Sequence, residues 1–284
     1  MEKTLLNTRS TGIQVTENAV SGEVIDTHQA ILESDGNVVS VMKNSYIPYH
    51  NQQFVDTTEQ MAEITGFETA GYSRFYGGGV VLAHLKNNQE DFKIGDHKIE
   101  DYIVLGNSHN GSKPFFVGTT TNLIRCANQF SQITTFESIK HTKSSVNKFE
   151  QLMAGFRKYV AIRKMMYQKF EMYQDVKVDE NIKEMVIRNL LSMKAEDKLE
   201  DMSTRKAGQF EFMDNTMIAE MEDLGQNLWG LFNGATRYVR DLEYKNKGFG
   251  NVLGTGQQIN QRAYTMANGI LSNHEQNKIM VAVN

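Results

Sequence analysis

The residues best placed by type and spacing to do chemistry are cations. Between residues 138 and 171 the chain carries eight basic side chains, Lys140, Lys143, Lys148, Arg157, Lys158, Arg163, Lys164 and Lys169, against two acidic ones, Glu150 and Glu171. Clustered cations bind phosphates, and Tyr159, Tyr167 and Phe170 stand among them as candidate platforms for bases. The same charges also suit a solvated helix face, because the later ones wrap round a helical projection without forming one stripe. Lys140, Lys143 and Lys148 lie where a strand-like pattern gives way to a helical one, and Lys113 and Arg125 flank the preceding β-prone run. The expected nucleic-acid contacts are therefore Lys113, Arg125, Lys140, Lys143, Lys148, Arg157 and Lys158. Tyr46 and Phe116 are further stacking candidates that suit a core equally well.

Other chemistry has less to stand on. His109 in NSHNGS and Cys126 in RCANQF are residue types that make a base and a nucleophile, since a thiol needs an imidazole or a positive surrounding to react. RCANQF directly follows an apolar strand pattern, however, and free cysteine is among the most buried residue types, so Cys126 is expected in the interior without catalytic duty. No His or Cys pair has the spacing of a metal site, and none is expected. Neither Gly77-Gly78-Gly79 nor the glycine-rich stretch from Gly248 to Gly256 matches a phosphate-binding GxxxxGK[ST] loop. Glu196-Asp197 and Glu200-Asp201 fall in a strongly polar stretch that reads as a solvated face. With no base, nucleophile and oxyanion donor to line up, the chain is expected to be no enzyme and to need no cofactor.

Composition narrows the partners. A formal charge of -4 over 284 residues argues against coating nucleic acid by bulk charge, while leaving room for a local basic groove. The lone cysteine forms no internal disulfide, the start MEKTLLNTRSTGIQ lacks an apolar leader, and no stretch approaches a membrane span of roughly 20 residues. A cytoplasmic protein without membrane contact is expected.

The elements that must position these residues change character along the chain. THQAILESDGNVVSVM reads as a hairpin about Ser34-Asp35-Gly36-Asn37, and VDTTEQMAEITGF as a short helix capped by Asp56 or Thr57, with Met61 and Ile64 at helical spacing. GYSRFY and VVLAHLK flank the three glycines as a second strand pair, and the runs Asp101 to Leu105 and Pro114 to Thr121 enclose GNSHNGSK as a protruding loop. From Ser145, capped by Ser144 or Ser145, the residues Val146, Phe149, Leu152, Met153, Phe156 and Val160 recur on one arc of a long helix. A further helix capped by Asp179 carries Ile182, Met185, Val186 and Leu190, and another runs from about Asn215 through Leu228, Trp229, Phe232 and Tyr238. KAEDKLEDMSTRKAGQ is either a helix extension or an exposed connection. The Gly248 to Gly256 stretch reads as a mobile loop before a last helix through Ala263, Met266 and Ile270. The fold class is α+β: a strand-rich part at 1–143, a long helix at 144–175 completing its core, and a helical region at 176–284.

The ordered blocks VVSVMKNSYIPYHNQQF, GYSRFYGGGVVLAHL, DYIVLGNSHNGSKPFFVGTTTNLIRCANQF, IKHTKSS and WGLFNGATRYV resemble the phage and plasmid proteins of domain-of-unknown-function family 932, over roughly residues 24 to 240. That resemblance implies a mobile-element context and no agreed biochemical role. At the level of fold, a hairpin sheet against a long helix is similar to phage single-strand annealing proteins, which oligomerise around a DNA-binding groove. The reading that follows is a homo-oligomeric single-stranded DNA binding and annealing protein of the host cytoplasm. The alternative is a non-enzymatic phage structural or interaction protein that assembles through its Met-rich and aromatic-rich helices.

Overall fold

The computed structural model describes residues 8–12, 27–33, 35–88, 92–123, 128–130, 137–143, 149–194, 196–242 and 254–283. The protein is α+β, with antiparallel sheets in the N-terminal half and a helical C-terminal half. It divides into two compact units, one of Met1–Glu90, Asp101–Thr119 and Thr134–Ala161, the other of Asp91–Glu100, Thr120–Ile133 and Ile162–Asn284. The strands in chain order are β1 (Thr8–Gly12), β2 (His28–Glu33), β3 (Val38–Lys43), β4 (Glu68–Phe75), β5 (Val80–Lys86), β6 (Phe92–Ile94), β7 (His97–Ser108), β8 (Phe115–Leu123), β9 (Asn128–Phe130) and β10 (Glu137–Ile139).

In the first unit, β1, β2 and β3 form a three-stranded antiparallel sheet in chain order. The expected β2–β3 hairpin is there. Gly36 turns it at φ 89°, and the Asp35 carboxylate accepts the Asn37 N–H at 3.0 Å. A second sheet follows the path β10-β8-β7-β5-β4. On β5, Val80, Val81, Leu82, Ala83 and Leu85 are all buried, so this central strand is apolar on both faces. Val81, Ala83 and Leu85 share a core with Ile103 and Leu105 of β7, Phe115 and Val117 of β8, and two helices. One is α1 (Asn51–Thr65), contributing Phe54, Val55 and Met61. The other is α2 (Phe149–Tyr173), contributing Leu152, Met153 and Tyr159.

α1 starts five residues before the expected cap. His50 is extended and exchanges capping-box hydrogen bonds with Gln53, so Asp56 is an exposed mid-helix residue and Thr57 is buried. Met61 enters the core as its spacing implies, whereas Ile64 is largely exposed. The α2 arc is confirmed at Leu152 and Met153; its expected caps Ser144 and Ser145 lie outside the described residues.

In the second unit, β6 pairs with the start of β7 and β9 with the end of β8. Its core collects Phe170 and Tyr173 of α2 with residues of α3 (Glu180–Leu190), α4 (Thr204–Leu224), α5 (Leu228–Asp241) and α6 (Thr255–Val283). Asp179 caps α3 as expected, accepting the Ile182 N–H at 2.8 Å. Met185, expected on its apolar arc, is 49% exposed. The single helix expected from Asn215 to Tyr238 is two. Gly225, at φ 104°, ends α4, and Asn227 caps α5 by accepting the Gly230 N–H at 3.0 Å. The polar stretch before α4 holds a short 3-10 turn, Leu199–Asp201, and the Ser203 cap of α4. Residues 243–253, most of the expected glycine-rich loop, lie outside the described residues.

Candidate nucleic-acid interface

One end of the second sheet gathers three turns within the first unit. β5 begins where β7 ends, with Val80 paired to Ser108, and β8 begins where β10 ends, with Phe115 paired to Ile139. The β4–β5 turn at Tyr76, the β7–β8 connection carrying Lys113, and the segment Lys140 to Lys143 after β10 therefore share that end. The β4–β5 turn needs its glycines. Gly77 and Gly78 take φ 60° and 91°, and a Cβ on Gly78 would sit 2.4 Å from Oε1 of Glu33, which is ion-paired to Arg74. Tyr76 also has a positive φ, 52°, an uncommon conformation for a residue with a side chain, and is 52% exposed.

Beneath this surface lies a polar cluster drawn from three separated stretches, Tyr46 to Asn51, Asn107 to His109, and His141. Tyr46 donates its hydroxyl to the Ser108 carbonyl at 2.7 Å, and its ring stacks obliquely on His141 with centroids 4.8 Å apart. Ile47 N–H donates to the His141 carbonyl at 3.1 Å, and the Asn107 amide donates to the Tyr49 carbonyl at 2.6 Å. His109 N–H donates to the Gly79 carbonyl at 2.7 Å, Ser40 donates its hydroxyl to the His109 carbonyl, and the His109 ring meets Asn51 Oδ1 through Nε2 at 2.8 Å. The segment GNSHNGSK is thus not the protruding loop its composition implies. Asn107, Ser108 and His109 are fully buried, and only residues 110–112 are exposed.

The cluster is electrically quiet. Burial holds the His109 imidazole down to about 3, helped by the nearby His141 and His50 rings. Burial likewise lowers His141 to about 4, against a hydrogen bond with the Ile47 backbone that raises it, and it lowers His50. The Tyr46 phenol is pushed up by the same loss of solvent. The neutral His109 ring bonded to Asn51, together with the backbone bonds of His109 to Gly79 and of Ile47 to His141, ties the three stretches to one another beneath the turns. No group of three metal-ligating side chains occurs among the described residues.

Of the seven expected contacts, Lys140 and Lys143 are exposed on this end, and Lys113 is half-buried there, its backbone N–H donating to Ser108 Oγ at 3.2 Å. Arg157 and Lys158 are exposed on α2. Lys158 Nζ lies 3.7 Å from Glu137 on β10, and Gly155 lets the helix pass close to that same residue, where a Cβ would meet Glu137 Cβ at 2.8 Å. Arg125, Lys148 and Cys126 lie outside the described residues.

The expected stacking platforms are not at the surface. In the first unit Tyr159 and Phe116 are buried, the former donating its hydroxyl to Asp101 and the latter filling the space left by the missing Cβ of Gly106; Tyr46 belongs to the polar cluster. In the second unit Tyr167 and Phe170 are buried as well, Tyr167 stacked on Phe92 at 4.2 Å. Aromatic rings on the apolar arc of a helix are core, whatever charges stand beside them in sequence. The aromatic that the sequence reading missed is Tyr76, whose signal was its position immediately before three glycines.

No curated protein and no solved structure matches the chain. A family model does match residues 38–248, a span that takes in the β4–β5 turn, the polar cluster and the basic segment together, and the chain therefore belongs to the family described as Domain of unknown function (DUF932).

Proposed function

We propose that the chain binds single-stranded DNA across the end of the β10-β8-β7-β5-β4 sheet, as an annealing or recombination protein of a phage or mobile element acting in the host cytoplasm. The observation that carries this is the row formed by Lys143 and Lys140 after β10, Lys113 at the start of β8 and Tyr76 between β4 and β5. With strands about 4.8 Å apart, the row is roughly 15–20 Å long, room for a few nucleotides. Three cations engage successive phosphates and one exposed ring offers a face to a base, a combination that binds single strands with little regard for sequence. The hydrogen-bonded cluster beneath, in which His109 is buried and His50 and His141 are half-buried, ties the turns to one another and so lowers the entropy lost on binding.

The test is a fluorescence-anisotropy titration of an oligo-dT strand at two salt concentrations. Three phosphate contacts give a slope of log K against log salt of about -2. Replacing Lys113, Lys140 and Lys143 together by Ala should remove most of the affinity and flatten the slope, with the thermal midpoint nearly unchanged, since surface substitutions of this kind shift stability by about 0.5 kcal/mol or less. Absence of binding by the unaltered chain at low salt would overturn the proposal.

A further inference from the structure

The chain holds three Asn-Gly pairs, Asn110-Gly111, Asn233-Gly234 and Asn268-Gly269. Asparagine before glycine is the pairing most prone to lose ammonia spontaneously, because the following peptide nitrogen attacks the side-chain amide carbon and glycine puts no β-carbon in the way. Whether that attack happens depends on the backbone, and the three pairs stand in different backbones. Asn233 and Asn268 lie inside α5 and α6, where the helical ladder takes up the N–H of the next glycine. Their amide nitrogens are held as well, Asn233 Nδ2 donating to the Trp229 carbonyl at 2.8 Å and Asn268 Nδ2 to the Tyr264 carbonyl at 3.0 Å.

Asn110 is placed otherwise. With Gly111 and Ser112 it forms the exposed part of the β7–β8 connection, between the buried His109 and the half-buried Lys113. Gly111 takes φ 72°, which its missing β-carbon permits. The Ser112 N–H donates to Asn110 Oδ1 at 3.0 Å, closing a ring that contains the Gly111 nitrogen. This bond folds the side-chain carbonyl back toward the following peptide and draws electron density from the carbon to be attacked.

We infer that Asn110 is a site of spontaneous deamidation in the folded protein, with water the only co-reactant. The Gly111 nitrogen gives up its proton and bonds to Asn110 Cγ, the Cγ–Nδ2 bond breaks, and the amide nitrogen leaves as ammonia carrying that proton. Water then opens the cyclic imide at either carbonyl, giving aspartate from one opening and isoaspartate from the other. Both products put a carboxylate where the Asn110 amide now lies, its nitrogen 3.4 Å from the β-carbon position of Gly79. That carboxylate stands three residues before Lys113 and beside the glycines of the β4–β5 turn. The consequence for function rests on the DNA-binding reading above: the new charge opposes phosphates at that end of the sheet, so affinity falls irreversibly as the protein ages.

The test ages the full chain without nucleic acid at mildly alkaline pH, where the attacking nitrogen loses its proton more readily, and follows each Asn-Gly peptide by mass spectrometry. The Asn110 peptide should convert to the acid at least about tenfold faster than those of Asn233 and Asn268, which react only from locally opened helix. An isoaspartyl methyltransferase should then label the aged chain at residue 110. Asn110→Ser, whose hydroxyl can still accept the Ser112 N–H, should release little ammonia and take no label there. Equal rates at the three pairs, or an Asn110 that stays intact while a free SHNGSK peptide converts, would overturn the site, whatever the chain does with DNA. The second arm titrates oligo-dT. Asn110→Asp and the aged chain should bind about two- to fivefold more weakly than fresh protein at low salt, the effect of one exposed charge, while Asn110→Ser should bind as wild type does. Conversion at Asn110 with unchanged affinity would overturn the functional consequence, and a fresh chain that binds no oligo-dT would overturn the DNA reading and that consequence together.

Discussion

His109 and Asn51, 58 residues apart in the chain and both buried, are joined by an Nε2 to Oδ1 hydrogen bond of 2.8 Å. An amide oxygen only accepts, so Nε2 carries the hydrogen and the ring ties the end of β7 to the first turn of α1. Asn51→Ala leaves a buried N–H without an acceptor. The expected cost is about 1–3 kcal/mol, read as a thermal midpoint lower by roughly 2–12 °C at about 2–4 °C per kcal/mol. An unchanged midpoint would show that the ring finds another acceptor.

The same cluster sets an acid limit on stability. The unfolded chain takes up a proton on each histidine near pH 6.5, whereas the folded chain resists it down to about 4 at His141 and about 3 at His109. Their contribution is complete above the unfolded value and is lost as pH falls through this window, by about 1.4 kcal/mol per unit for each site. His50 and His84, also lowered by burial, act in the same direction. Urea midpoints measured between pH 6.5 and 5 should therefore fall with acidification. In His109→Gln the slope should be shallower by about 1.4 kcal/mol per unit, and a slope identical to wild type would contradict the assignment.

Two glycines in the helical unit should respond to alanine in opposite directions. On α5, Gly234 lies so close to α4 that a Cβ would stand 2.4 Å from the Met217 Cα, and Gly230 similarly approaches Met221. Backbone cannot yield as a side-chain tip can, so Gly234→Ala should destabilise by about 1–3 kcal/mol despite the better helix propensity. Gly269 on α6 has nothing within 4 Å of the same position. Gly269→Ala should stabilise by about 0.5–1 kcal/mol. Thermal melts of the pair check both signs.

What could be read from sequence was local. The hairpin at Gly36, the paired strands about Gly77, Gly78 and Gly79, and the α2 arc through Leu152 and Met153 follow from turn chemistry and periodicity, and all three are present. The helix break at Gly225 was legible in principle, as a glycine two residues before an Asn cap, but the apolar pattern of Leu228 and Trp229 continues across it. His109 was illegible for a different reason. NSHNGS has the composition of an exposed loop, and its burial depends on partners supplied by Gly79, Ser40 and Asn51, none of them near in sequence. Tyr159 was misread because its charged neighbours suggested a surface, while its own hydroxyl had a buried acceptor in Asp101. For the basic residues, sequence gave proximity along the chain, and only the strand register shows that Lys113 joins Lys140 at one end of the sheet.

Tyr76 tests whether the single-stranded DNA contact proposed for that end of the sheet would include bases as well as phosphates. Its side chain is 52% exposed, its backbone is at φ 52°, and it is held there between the end of β4 and two glycines of positive φ. Stacking of a base on such a ring contributes about 1–3 kcal/mol, so Tyr76→Ala should weaken single-stranded DNA binding by roughly five- to a hundredfold. No charge is removed, and the salt slope should stay at its wild-type value, in contrast to the lysine variants. Tyr76→Phe keeps the ring face and should bind as wild type does. Tyr76→Gly separates the ring from the backbone: it should lose the same affinity as Ala, yet melt higher than Ala, because a left-handed φ costs a residue with a Cβ about 1 kcal/mol that glycine avoids. The measurement is anisotropy at two salt concentrations for the four proteins, beside thermal melts of each. Equal affinity of wild type and Tyr76→Ala would remove the ring from the interface and leave a contact made by phosphates alone.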